Sequence, residues 1–180
     1  MEPPRATTVG RFTALLTVLL VFVGACGGGP SARSWAASVC SALTPWRAEI
    51  SSLASSTDQQ MTAQTTPAQA KENLVRLLGG AEAATEAARR KVVAAGVPDV
   101  ERGESVAQGF VASLAAVRDA YGRAKKSIEE LATGQASDFY DGVEATMKTL
   151  HQEYDASALD TSTLNSKELK RAFDELPECR

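Results

Sequence analysis

The sequence predicts an all-α fold: an antiparallel helical bundle of four to five helices, with one disulfide joining its ends. Three observations carry that prediction. Apolar residues recur every three or four positions along most of the chain, which is the period of an amphipathic helix. Alanine is abundant, aromatic residues make up only 6%, and the Val-Ile-Thr alternation of a half-buried strand is missing. Three cysteines are present, one near the amino terminus and two bracketing the periodic region.

The first segment, residues 1–25, reads as a lipoprotein signal peptide. Arg5 and Arg11 give it a positive start, and an apolar run from Phe12 to Val23 follows. At about 12 residues that run suits a signal h-region and falls short of the ~20 that span a bilayer, which sets a transmembrane anchor as the weaker reading. Val23-Gly24-Ala25-Cys26 resembles the lipobox of bacterial lipoproteins, although Leu is more usual than Val at its first position. The resemblance implies that the Cys26 thiol takes a diacylglyceryl group, palmitate included, and that cleavage falls before it. Ordinary signal-peptidase cleavage after Ala25 is the rival, since Val23-x-Ala25 also satisfies the small-residue rule. Cysteine parity favours acylation. With Cys26 consumed, Cys40 and Cys179 remain to pair in an oxidising compartment, whereas a free Cys26 leaves an odd thiol.

Residues 26–33 are expected to form a flexible lipid-anchored tether, because Gly27-Gly28-Gly29-Pro30 holds no packed conformation by itself. A single bundle domain over 34–180 follows, long enough for a core of its own. Loss of Arg5, Arg11 and Glu2 takes the formal net charge from −3 to −4. Such a surface argues against nucleic acid and offers no broad attraction to anionic lipid. Membrane affinity then falls to the acyl chains, of which the lipobox resemblance implies two or three, enough for stable anchoring.

Each helix follows from its stripe. The first runs from about Ser34 to Ser55 through Trp35, Val39, Leu43, Trp46, Ile50 and Leu53. Pro45 removes one backbone donor, and because the stripe stays in phase across it a kink is expected, with a break and Thr44 capping a second helix as the alternative. Thr66-Pro67 opens the next helix, which passes through Leu74 and Leu78 to about Ala95 and stops at Gly96. Gly79-Gly80 inside it suggests a close helix neighbour or a bend. A third helix covers Val100 to Ala132 through Phe110, Leu114, Val117 and Ile128. A fourth runs from a Ser137 cap to Tyr154, through Phe139 and Leu150. Asn165 and Glu168 have the spacing of a capping box for a short last helix carrying Leu169, Phe173 and Leu176. Stripes of this kind must be buried against one another.

Cys40 and Cys179 are expected to form a structural disulfide across nearly the whole domain. The rival, a reactive redox pair, lacks a Cys-x-x-Cys spacing and a local basic cluster. Trp35-x-x-x-Val39-Cys40, then Trp46, with Phe173 and Pro177-Glu178-Cys179 at the end, resembles small helical lipoproteins and secreted proteins of Actinobacteria. That resemblance implies an exported compartment, the disulfide and a helical fold, and it implies no activity.

The residues that could carry chemistry point away from an enzyme. His151 is the sole histidine, Lys148 stands where an Glu-x-x-His motif needs its glutamate, and Glu144 lies two turns away, about 10 Å along the helix. Asp138, Asp141 and Glu144 could suggest a carboxylate cluster, but Asp138 and Asp141 fall in the first turn of their helix, where the dipole favours negative charge, and Asp99, Glu101 and Glu104 open the third helix likewise. Arg89-Arg90-Lys91 has the converse account. No Gly-x-Ser-x-Gly elbow and no strand-following glycine loop occur. Trp35 and Trp46 share a stripe and form a candidate apolar pocket, with plain core packing as the bland alternative. The expected function is a membrane-anchored extracytoplasmic lipoprotein, a non-catalytic interaction or scaffold module of the cell envelope with no metal and no cofactor. Its partner is an envelope protein; the alternative is a carrier holding a small apolar ligand inside the bundle.

Overall fold

The computed structural model describes residues 28–157 and 166–179. Five α-helices occur among them, with no strand: α1 Ala32–Gln60, α2 Pro67–Ala94, α3 Gly103–Glu130, α4 Ala136–Ser157 and α5 Lys167–Glu175, then a short 3-10 turn at Pro177–Cys179. The helical bundle and its end-to-end disulfide are as the sequence predicts.

The helix boundaries are set by identifiable caps. Ser31 opens α1, its hydroxyl accepting the Ser34 N–H at 3.2 Å. The helix runs on through Pro45 without a break. Thr44 is no cap, because its hydroxyl donates to the Glu178 carbonyl at 2.8 Å and ties the carboxy-terminal turn to α1. Thr66 and Gln69 form a reciprocal capping box at the head of α2, with Pro67 in the first turn. Gly96, at φ 74°, ends that helix in the left-handed conformation.

The later boundaries correct the expected ones. Helix α3 starts at Gly103 rather than Val100, because Arg102, at φ 60°, is left-handed and breaks the right-handed run; the Asp99 and Val100 amides go to the Pro30 and Pro98 carbonyls. A Cβ on Gly103 would run into the Pro98 carbonyl, so glycine permits this tight entry. Ser137 lies inside α4, not before it. Ser166 caps α5 by accepting the Leu169 N–H at 3.3 Å, while the expected cap Asn165 falls outside the described residues.

The α2–α3 hairpin is central, with α1 packed on α2, α4 on α3, and α5 with the final turn on α1. Two cores result. One joins the first half of α1, the end of α2, the start of α3 and α5 around Trp35, Val39, Val92, Phe110 and Leu169. The other joins the start of α2, the end of α3 and α4 around Leu74, Leu78, Ile128 and Leu150. Gly80 marks a close helix approach, as its pattern suggested: a Cβ there would meet the Leu53 side chain of α1 at 2.9 Å. The second half of the α1 stripe, Trp46, Ile50 and Leu53, is only half-buried, since α1 has left the shared core by then.

Candidate functional site

Cys40 and Cys179 are joined, with their Cα atoms 4.9 Å apart across a sequence separation of 139. Around them α5 closes an aromatic cluster. Trp35 meets Phe110 edge-on at 5.3 Å between ring centroids and Phe173 at 6.1 Å, while Phe110 and Phe173 stack at 5.7 Å. The Trp35 indole N–H donates to the Gly96 carbonyl at 2.8 Å, so the one polar atom of a fully buried ring is satisfied.

Trp35 and Trp46, the candidate pair for an apolar pocket, lie in different surroundings. Trp35 is consumed in the packed core. Trp46 lies further along α1, beside an open cleft of about 160 Å³ against Ala84, Ala87 and Ala88 of α2. Its indole N–H donates to Thr85 Oγ1 at 2.9 Å, and Thr85 in turn donates to the Ala81 carbonyl at 2.7 Å. In-phase tryptophans share a helix face, but eleven positions of rise put them in different surroundings.

His151 is exposed and faces Asp155 at 3.3 Å on its own helix. Asp138 occupies the first turn of α4 and Asp141 follows just beyond it, both exposed. Among the described residues no group of three or more His, Cys, Asp or Glu side chains comes together as metal ligands would. Asp99 and Glu101 precede α3, and only Glu104 enters its first turn.

One charged network was only half legible. Glu86 accepts from Arg89 Nε at 2.7 Å, Arg90 Nε at 2.9 Å and Arg118 Nη1 at 2.9 Å. The three guanidinium groups, Arg89 foremost, hold its carboxyl far below the ordinary carboxylate range. Arg89 and Arg90 stand three and four residues beyond Glu86, a spacing readable in the sequence. Arg118 comes from α3 and left no local signal. On the opposite flank of α3, Arg123 pairs with Glu153 of α4 at 3.0 Å, and the pairing raises the Arg123 pKa.

The end of the bundle nearest the amino terminus is built differently from the expected tether. Pro30 accepts the Asp99 N–H through its carbonyl at 2.9 Å, and Gly29 packs so tightly on the Val97 carbonyl that no side chain would fit. Residues 28–31 therefore belong to the domain, and the free leash expected over 26–33 does not extend through them. Cys26 and the segment before it lie outside the described residues. Beside this contact an apolar cleft of about 340 Å³ opens between the end of α2 and the start of α3, lined by Val93, Val97, Val111, Ala112 and Ala115. Val93 and Val97 are 52% and 44% exposed, unusual for large apolar side chains set side by side. Val93 directly follows Val92, a buried residue of the α2 stripe, and that adjacency is the signal that puts it on the outer face. Among the described residues no helix is long and apolar enough to cross a membrane. No protein family, curated protein or solved structure matches this chain.

Proposed function

We propose that the chain is an extracytoplasmic lipoprotein, acylated on Cys26, whose helical domain acts as a non-catalytic interaction or scaffold module of the cell envelope. The observation that supports it is the pairing of Cys40 with Cys179. It leaves Cys26 as the remaining cysteine of three, preceded by the apolar run and small residues that suit a lipobox. A stabilising disulfide also fits an oxidising, exported setting better than a reducing cytosol. The carrier alternative draws no support from the tryptophans, since the cleft beside Trp46 is smaller than the ~300 Å³ at which ligand pockets begin.

Metabolic labelling with palmitate in a bacterial host, followed by intact-mass analysis, tests this reading. The native chain is expected to take up label, lose residues 1–25 and sediment with membranes, while Cys26→Ala takes up none. A native product with a free thiol at residue 26 would overturn it. Crosslinking in intact cells then tests the interaction role, and a labelled protein that captures no envelope protein would remove that part alone.

A further inference from the structure

The apolar cleft and the first described residues occupy the same end of the bundle. Gly29 and Pro30 are fixed against Val97 and Asp99. Cys26 stands two residues before Gly28, and two residues of fully extended chain reach about 7 Å at most. A lipid on Cys26 thus cannot leave the domain at a distance: it brings the α2–α3 turn to the bilayer surface. At that turn stand Val93 and Val97, more exposed than Tyr140 and Tyr154, the other exposed large apolar side chains among the described residues.

We propose that this end of the bundle is a membrane-seating surface, in which Val93, Val97 and the cleft they border sit in the acyl-chain boundary of the bilayer that anchors Cys26. The inference rests on the acylation reading and adds an orientation to it: α2 and α3 stand with their shared turn toward the membrane and the α1–α2 turn away. An apolar face seated in the interface sinks about 5–10 Å, within the reach allowed by the short link to Cys26. The charges around the turn choose the kind of surface. Asp99, Glu101 and Glu104 offset Arg90, Lys91 and Arg102 there, all six exposed, so the turn carries no basic excess. Recognition is therefore by apolar contact with the acyl boundary and not by attraction to anionic headgroups.

The test uses the full lipidated chain in phosphatidylcholine vesicles containing phosphatidylcholine with doxyl-labelled acyl chains. A fluorophore is placed by Val97→Cys at the seating surface, or by Gln64→Cys in the α1–α2 turn at the opposite pole. Both positions are exposed, so neither substitution disturbs a core. Several-fold stronger quenching at position 97 than at 64, little changed by adding phosphatidylserine, is the expected result. Equal or absent quenching at 97, in protein that carries acyl mass and floats with vesicles, would overturn the seating while leaving acylation intact. Protein without acyl mass would overturn both. Energy transfer between donor- and acceptor-labelled Val97→Cys chains without doxyl quenching would assign the cleft to a second copy and overturn the proposal.

Discussion

The Trp46 indole N–H and the Thr85 hydroxyl meet at 2.9 Å, joining the half-buried face of α1 to the one buried polar residue of α2. Thr85 both accepts from the ring and donates back to its own helix at Ala81, so one hydroxyl satisfies two polar groups. Thr85→Val keeps the shape and removes both roles. It is expected to cost about 1–2 kcal/mol, since a donor losing its buried partner costs more than the bond's net worth. Urea melts of Thr85→Val, Trp46→Phe and the double variant measure it. Additive losses would mean that the two groups are uncoupled.

Breaking the Cys40–Cys179 link tests the core around Trp35. Loop-closure entropy over a separation of 139 residues gives a loss of about 4–5 kcal/mol for Cys40→Ala/Cys179→Ala. Because α5 packs chiefly on α1, its release should also weaken the near-ultraviolet signal of the Trp35–Phe110–Phe173 cluster. A variant as stable as the native protein, with that signal intact, would refute the role given to the disulfide.

Glu86 predicts a pH dependence with a definite sign. Its folded-state pKa lies far below the ordinary value because three guanidinium groups stabilise the ionised form. The stabilisation is complete above the ordinary glutamate pKa of about 4.3 and is lost as the pH falls from there through the folded-state value. Glu86→Gln should therefore be less stable than the native chain at pH 7, and the gap should narrow steadily in acid. Denaturant melts of both proteins across that range would show it. A gap independent of pH would mean that Glu86 contributes shape alone.

Two glycines in α3 make a matched comparison. Gly109 has open space where a Cβ would go, so Gly109→Ala should stabilise by about 1 kcal/mol through helix propensity. Gly103→Ala would drive a methyl group into the Pro98 carbonyl, which is backbone and cannot swing aside. It should destabilise by about 1–3 kcal/mol. Thermal melts of the two variants shifting in the same direction would contradict the tight α2–α3 entry.

Much of the fold was legible because it rests on local signals. The stripes of α2 and α3, the Thr66–Pro67 start and the Gly96 stop each follow from residues a few positions apart. Cys40 and Cys179 were paired by counting alone. What was illegible depends on contacts between distant segments. Thr44 as a cap remains an alternative to a kink at Pro45 until Glu178 is seen to take its hydroxyl. Gly27-Gly28-Gly29-Pro30 reads as a leash until Asp99 binds Pro30. Whether Trp35 and Trp46 line a pocket or pack a core stays open in the sequence, because periodicity gives a face and not a neighbour. The Val93–Val97 cleft had the same weakness: exposure of an apolar residue follows from which helix fails to cover it.

If the chain is exported as proposed, the long span of the disulfide also bears on how it crosses the membrane. Cys40 emerges early, and Cys179 arrives only when almost everything else has passed. During that interval the nearest sulfur is Cys26, which closes a much smaller ring and so encounters Cys40 sooner and at lower entropic cost. On the proposal that Cys26 is acylated, the thioether does more than fasten the product to lipid. It retires the competing thiol before the correct one appears, and oxidation is left with a single outcome.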